Sequence, residues 1–197
     1  MNKYKLIALF GKSGAGKDTI QNWMVSHLPN VHKIISYTTR PPRDNEVDNK
    51  DYHFISVEEF NYMKEKNLFL ETTKFRGWYY GTSIESLIQT QINIGVFNPS
   101  GVQNIWDNFK DQIIILPIKI FADDKVRLIR SLTREKDPDC LEICRRFLAD
   151  EEDFKNLSFA HKLYTNNDFD NNYSEYFNIE KLNQDFQDIQ DLNNWSN

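Results

Sequence analysis

Gly11-Lys12-Ser13-Gly14-Ala15-Gly16-Lys17-Asp18-Thr19 follows directly on the apolar run Leu6-Ile7-Ala8-Leu9-Phe10. The run reads as a buried strand. Gly11 and Gly16 let the backbone turn sharply and aim its N–H groups inward. Lys17 then reaches the outer phosphates of a nucleoside triphosphate, and a helix starting near it adds the positive end of its dipole. A ligand-free strand-to-helix turn needs neither the lysine nor the spacing. Together they point to phosphate binding by Gly11, Ser13, Gly14, Ala15, Gly16 and Lys17.

Asp18 stands where a Ser or Thr usually offers its hydroxyl to magnesium, and Thr19 is the nearest hydroxyl. A carboxylate beside phosphates is repulsive unless a metal lies between them. Asp18 is therefore turned away, bound to magnesium through water, or a cause of weaker binding. Magnesium, arriving with ATP, is assigned to Asp18 or Thr19.

The 197 residues suffice for one sizeable α/β core with insertions. A formal net charge of −5 disfavours a general nucleic-acid or anionic-membrane surface, so phosphate binding has to come from local clusters of Lys and Arg. No apolar stretch is long enough to span a bilayer, and the first strand begins without a signal-peptide pattern, so the expected location is cytoplasmic. Cys140 and Cys144 are too few and too close in sequence for a disulfide framework, and packing or chance accounts for them. The Asn-x-Ser tripeptides at Asn156, Asn172 and Asn194 matter only in a secreted protein. An Asn/Asp-rich stretch begins near Asn166.

After the loop, Ile20, Trp23, Met24 and Leu28 have helical spacing and Pro29 ends the run; a short strand is expected over Lys33 to Ser36. Ser36 to Glu46 is turn-rich and basic, and Pro41-Pro42 excludes a helix there. Arg40 and Arg43 on such a loop suit bidentate capture of a phosphate, as well as a plain solvated turn. Asp51 to Ser56 alternates like a strand, Ser56-Val57-Glu58-Glu59 forms a capping box for a helix to about Asn67, and Phe69 to Phe75 reads as another strand. These segments make a small mixed insert.

In Ser36 to Ser83, the serine, Thr38-Thr39-Arg40, Pro42-Arg43, Glu46, Tyr52, Phe69-Leu70-Glu71 and Tyr79-Tyr80-Gly81 resemble guanylate kinase in order and spacing, and the resemblance extends over nearly the whole chain. It implies that the insert binds GMP, with Arg40, Arg43, Tyr52 and Tyr80 holding the monophosphate and Glu46 orienting them. Glu71 would read guanine, which presents N1–H and N2–H donors where adenine has a bare acceptor. Ser36 and Thr82 would meet the base at O6.

Beyond the insert, Ile84 to Gln91 is expected to be a return helix, Asn93 to Asn98 a core strand, and Gly101 to Phe109 a helix. The resemblance implies acidic residues at the end of that strand, where this chain has Val96 and Asn98; Asn98 is kept as a GMP contact. A carboxylate lost there and gained at Asp18 suggests that Asp18 serves the metal instead. Gln112 to Ala122 is the most apolar run and reads as a strand buried on both faces. Asp123 then caps a helix bearing Arg127, Arg130 and Arg134, and a second helix from about Leu141 carries Arg145 and Arg146.

Read alone, these arginines are ordinary helix surface charge offset by Glu142, Asp150, Glu151 and Glu152. The resemblance implies a lid over ATP, with Arg130, Arg134 and Arg146 as its arginines, and Asn166, after a strand over His161 to Thr165, near adenine. Ile179, Leu182, Phe186, Ile189 and Leu192 form a last helical stripe.

The expected fold is α/β, a P-loop kinase with a five-stranded parallel sheet flanked by helices. The expected division is a core of 1–36, 84–122 and 155–197, a GMP-binding insert of 37–83 and a helical lid of 123–154. Lys17, Arg40, Arg43, Arg134 and Arg146 carry catalysis; ATP and GMP or dGMP are the partners, with no nucleic acid and no membrane, for a monomer or homodimer. Two alternatives share the architecture: a non-catalytic protein-interaction module, and a kinase for another deoxynucleotide or a ribosyl bisphosphate. Those modules typically lose the phosphate loop, which this chain keeps.

Overall fold

The computed structural model describes residues 3–42, 46–75, 77–134, 136–157, 159, 161–167 and 173–195. Strand β1 (Tyr4–Phe10) lies in the middle of a five-stranded sheet with β2 (Val31–Lys33), β7 (Ile92–Val96), β8 (Ile113–Phe121) and β9 (Lys162–Thr165), in the order β2-β7-β1-β8-β9. Every pairing in it is parallel. Parallel strands need crossovers, which cover both faces with helices, so central strands are apolar on both sides. Leu6 to Phe10 are indeed fully inaccessible, and β8 is buried from Ile113 to Ile118; Phe121, at its end, is exposed.

Two clusters result, one on each face. Ile7, Leu9, Ile94 and Leu116 pack against Ile20 and Met24 of α1 (Lys17–His27) and against Leu182 and Phe186 of α6 (Ile179–Trp195). Leu6, Ala8, Phe10 and Ile115 pack against Val102 and Ile105 of α3 (Pro99–Phe109). Burial of these side chains, each contributing about 1.5–3 kcal/mol, holds the sheet and thereby the loop at its C-terminal edge.

A second sheet, in the order β4-β3-β6-β5, combines β3 (Tyr37–Thr38), β4 (His53–Phe54), β5 (Phe69–Phe75) and β6 (Trp78–Ser83), with α2 (Val57–Glu65) between β4 and β5. The capping box of α2 is present: Glu59 N–H donates to Ser56 Oγ at 3.0 Å and Ser56 N–H to Glu59 Oε2 at 2.9 Å. Helices α4 (Asp124–Thr133) and α5 (Cys140–Asp153) lie between β8 and β9.

Three local expectations are corrected. Of the strand expected over Lys33 to Ser36 only Lys33 is in one, at the end of β2, and residues 34–36 form the link between the two sheets. The expected helix Ile84 to Gln91 is only a 3-10 turn at Ile84–Ser86. The buried Asn93 is the reason: its Oδ1 accepts Ile88 N–H at 2.7 Å and its Nδ2 donates to Ile88 O at 3.0 Å, so a side chain takes the partners a helix would supply. Asp123 stands at the N-cap of α4 without a capping bond, because its carboxylate accepts from Asn167 Nδ2 at 2.8 Å instead. Cys140 and Cys144 are free and exposed, so neither packs.

Candidate active site

The glycine-rich loop leaves β1 at the sheet's centre, between its neighbours β7 and β8, and enters α1 at Lys17. Gly14 and Gly16 have φ of 77° and 91°, the left-handed region that favours glycine. A Cβ on Gly14 would lie 2.6 Å from Arg127 O, so α4 rests directly on the loop. The first N–H groups of α1 have no intrahelical partner and open toward the cleft. Lys17 Nζ donates to Gly11 O at 2.7 Å and Lys12 O at 3.2 Å. Burial lowers its pKa, opposed by the charges of Asp18 and Asp150.

Eight of the residues assigned to ATP share one cleft of about 380 Å³: Gly14, Gly16, Lys17, Asp18 and Thr19 on one side, Arg130, Arg134 and Asn166 on the other. Ser131, Thr133 and Tyr173, which the sequence reading missed, line it too. Nothing in the sequence marked Tyr173, since it lies within the Asn/Asp-rich stretch. Gly11 and Ala15 are the buried members of the loop, and Ser13 lines an adjoining hollow of about 250 Å³ with Arg134, Glu142 and Arg146. Asn166 is also a tether. It is buried, its Nδ2 donates to Ala15 O at 2.7 Å, and its own carbonyl accepts Arg130 NH1 at 2.8 Å. Glu142 accepts from both Arg145 and Arg146, and Arg146 Nε lies 2.6 Å from Oε1.

The second sheet and the segment between β3 and β4 hold the other assigned residues. Arg40 NH2 donates to Glu46 Oε1 at 2.8 Å, and its guanidinium lies 5.6 Å from the Tyr52 ring centre. Burial pulls the Arg40 pKa down, but the Glu46 bond and charge, with Tyr80, more than reverse this. The rings of Tyr52 and Tyr80 meet edge to face at 6.1 Å. Burial raises the Tyr52 pKa, and the Asp18 carboxylate adds to it. The Asp18 charge thus bears on Lys17 and Tyr52 alike. Arg43 lies outside the described residues.

Glu71 and Thr82 are register partners on β5 and β6. Burial pushes the Glu71 pKa up to about 7, against the pull of hydrogen bonds from the Thr82 side chain and backbone. Ser36 Oγ lies 3.1 Å from Thr82 Oγ1. With the Thr82 hydroxyl hydrogen given to Glu71, Ser36 is the donor in that contact, so Ser36, Thr82 and Glu71 form one chain. Asn98 has another duty. Its Oδ1 caps α3 by accepting Gly101 N–H at 2.7 Å, and its Nδ2 donates to Thr73 Oγ1 at 2.9 Å, joining the end of β7 to the second sheet.

The lid arginines read as surface charge include one that is not. Arg127 is 1 % exposed and among the largest fully buried side chains, and its partner Asp150 is buried too. Both lie against Ser13. The alternation of charge along α4 and α5 concealed this, since the same spacing suits a solvated helix face.

A glycine loop leading into a helix, a basic helix pair above it and a separate polar sheet opposite define a P-loop phosphotransferase of the nucleoside monophosphate kinase class. The guanylate kinase family matches residues 3–179, and the chain belongs to that family. It is 36% identical to a guanylate kinase of Prochlorococcus marinus over 141 residues, 69% of this chain and 76% of that one. It is 32% identical to a guanylate kinase of Paraburkholderia xenovorans over 177 residues, 86% of this chain and 76% of the relative. The fold is that of the crystal structure of guanylate kinase from Anaplasma phagocytophilum, with a TM-score of 0.62 at 16% identity, covering 100% of this chain and 87% of that one.

Proposed function

We propose that this protein transfers the γ-phosphoryl group of ATP to GMP or dGMP, giving ADP and GDP or dGDP. One observation carries the reading: Lys17, Asp18, Arg130 and Arg134 line one cleft, and the Asp18 charge in it also acts on Tyr52, which packs beside Arg40 and Tyr80. The acceptor phosphate is anionic near neutral pH and needs no general base, so the barrier lies in bringing two anions together. Lys17, Arg130, Arg134 and Arg146 neutralise the donor side, while Arg40, with Arg43, holds the acceptor phosphate. Residues 37–83 act as the acceptor insert and 123–154 as the lid, whose closure excludes water that would otherwise take the phosphoryl group.

Guanine selection falls to Glu71. Its carboxylate accepts N1–H and N2–H, and those two donors favour the ionised form that burial alone resists. The Ser36 and Thr82 hydroxyls lie beside it for O6.

Among the described residues no group of three or more His, Cys, Asp or Glu gathers as a metal cage. Magnesium would be held by the exposed Asp18 or Thr19 in the cleft, with water and the nucleotide's own phosphates. When bound, the ion supplies positive charge to the outer phosphates. No helix among the described residues is long and apolar enough to cross a membrane, and the cytoplasm is the proposed location.

ADP production measured over a panel of monophosphates, for the parent and Glu71→Gln, tests the reading. GMP or dGMP is expected to be the best acceptor, with the preference reduced in the variant. A pyrimidine monophosphate or AMP turned over equally well by both proteins would overturn it.

A further inference from the structure

Arg127 is a charged side chain buried where an apolar one would pack. Its guanidinium lies 4.3 Å from the centre of the Phe147 ring, under the phosphate loop and outside the cleft that Arg130 and Arg134 line. All three arms of the fork are occupied. Nε donates to Ser13 O at 2.8 Å, NH2 to Asp150 Oδ2 at 2.6 Å, and NH1 to Asp124 Oδ1 at 2.5 Å.

Asp150 Oδ2 also accepts the Ser13 N–H at 2.7 Å. A closed ring follows: the carbonyl and the amide of one loop residue are both taken up by one ion pair, whose members come from the two helices of the lid. The next residue, Gly14, has a φ of 77° and no room for a side chain against Arg127 O. Lys12 and Glu151 form a second ion pair on the same seam.

Joining two helices does not require this arrangement. A buried ion pair is often no more stabilising than apolar residues of similar volume, because desolvation offsets the attraction. What apolar residues cannot do is hold a backbone N–H and C=O in fixed directions. A glycine-rich loop binds phosphate by where its amides point, so whatever fixes Ser13 fixes the shoulder of the phosphate cradle.

We propose that Arg127 and Asp150 are a positioning pair for the donor-phosphate site, setting the loop's shape through Ser13 and coupling it to the seating of both lid helices. This rests on the loop being the site for the donor nucleotide. Neither residue touches the nucleotide; both act through the loop backbone. Asp150 and Arg127 also bear on Lys17 in opposite senses, the carboxylate raising its pKa and the guanidinium lowering it, so removing one alone disturbs the lysine as well.

The test uses the full chain and three variants: Asp150→Leu, Arg127→Met with Asp150→Leu, and Arg127→Lys. Tm, KM for ATP and for GMP, and direct binding of a non-hydrolysable ATP analogue are measured for each. Asp150→Leu leaves the buried guanidinium only Asp124 as a counter-charge and frees its NH2 arm, so both Tm and analogue affinity are expected to fall. The double variant strands no charge: its Tm is expected to return close to the parent's, while KM for ATP and the analogue Kd stay about ten-fold raised. KM for GMP is expected to stay within about two-fold.

Arg127→Lys keeps the charge but cannot reach Ser13 O and Asp150 together, and it decides the matter if the double variant fails to fold. It too is expected to weaken analogue binding, about five-fold, with Tm near the parent's. Parental analogue affinity in either the double variant or Arg127→Lys would reduce the pair to scaffolding and overturn the proposal. Because the analogue reports donor binding without turnover, this outcome is distinguishable from the protein's failing to phosphorylate GMP.

Discussion

The two halves of the proposed site solve different problems with different materials. The donor side is made from helix ends and long cations: the start of α1, Lys17, and arginines on α4 and α5 paired with acids of the same region. The proposed acceptor side is a small antiparallel pair of strands and the link before β3, where Ser36, Thr82 and Glu71 form one chain of polar groups. Flexible charges suit a triphosphate whose charge must be followed through the reaction. A rigid, partly dry sheet suits a base edge, because a buried carboxylate left without its two donors is penalised heavily. In the proposed reaction the donor's charge is handled on helices and the base edge is read on strands, while the acceptor phosphate falls to Arg40 just after β3.

That division is broken most directly at Lys17. Lys17→Met is expected to lower kcat by about 10³-fold while the affinity for GMP, measured by titration without ATP, stays within about three-fold. Loss of GMP affinity on the same scale would show that the halves are not separable.

Glu71 sharpens the comparison from the other side. Glu71→Gln is expected to lower kcat/KM for GMP by about 100-fold, with KM for ATP unchanged. Its pH dependence has a definite sign. Between its ordinary 4.5 and about 7, the folded chain holds a proton on Glu71 that the unfolded chain has released. This group's contribution to stability therefore falls as pH rises through that window, and the penalty is complete above it. Tm of ligand-free Glu71→Gln relative to the parent is expected to grow more favourable from pH 5 to pH 8, by on the order of 1–3 kcal/mol in stability. Meanwhile KM for GMP in the parent should rise about ten-fold from pH 8 to pH 6 as the carboxylate protonates, with KM for ATP little changed. A flat difference in Tm and a flat KM for GMP would mean that the carboxylate is ionised throughout.

The smallest effect is expected at Asn98, on the join between the halves. If its role is to cap α3 and hold Thr73, Asn98→Ala costs about 1 kcal/mol of stability in a denaturant titration and moves KM for GMP by less than about three-fold. A ten-fold rise in KM without loss of stability would return Asn98 to the GMP contacts.

Legibility followed the range of the interactions. The loop was readable because Gly11, Gly16 and Lys17 act through local backbone geometry and fixed spacing. β1 and β8 were readable because burial on both faces writes itself as an unbroken apolar run. The capping box of α2 is likewise complete within four residues. The insert residues were found through resemblance, since Arg40, Tyr52, Glu71 and Thr82 are far apart in sequence and no periodicity joins them. The 3-10 turn at Ile84–Ser86 was misread as a helix because the competing partner, Asn93, belongs to the next strand.

From sequence alone follow the phosphate loop and the parallel α/β core, since each depends on spacing and hydrophobic period between near neighbours; insert and lid came only through the resemblance. The tertiary structure alone decided which charges are buried and what each polar group bonds. Arg127 and Arg130 lie three positions apart on one helix, yet one grips Ser13 from beneath the loop and the other opens onto the cleft. Burial and long-range partners are properties of how the elements meet, and a linear pattern of charge is the same whether its far side faces water or a neighbouring backbone.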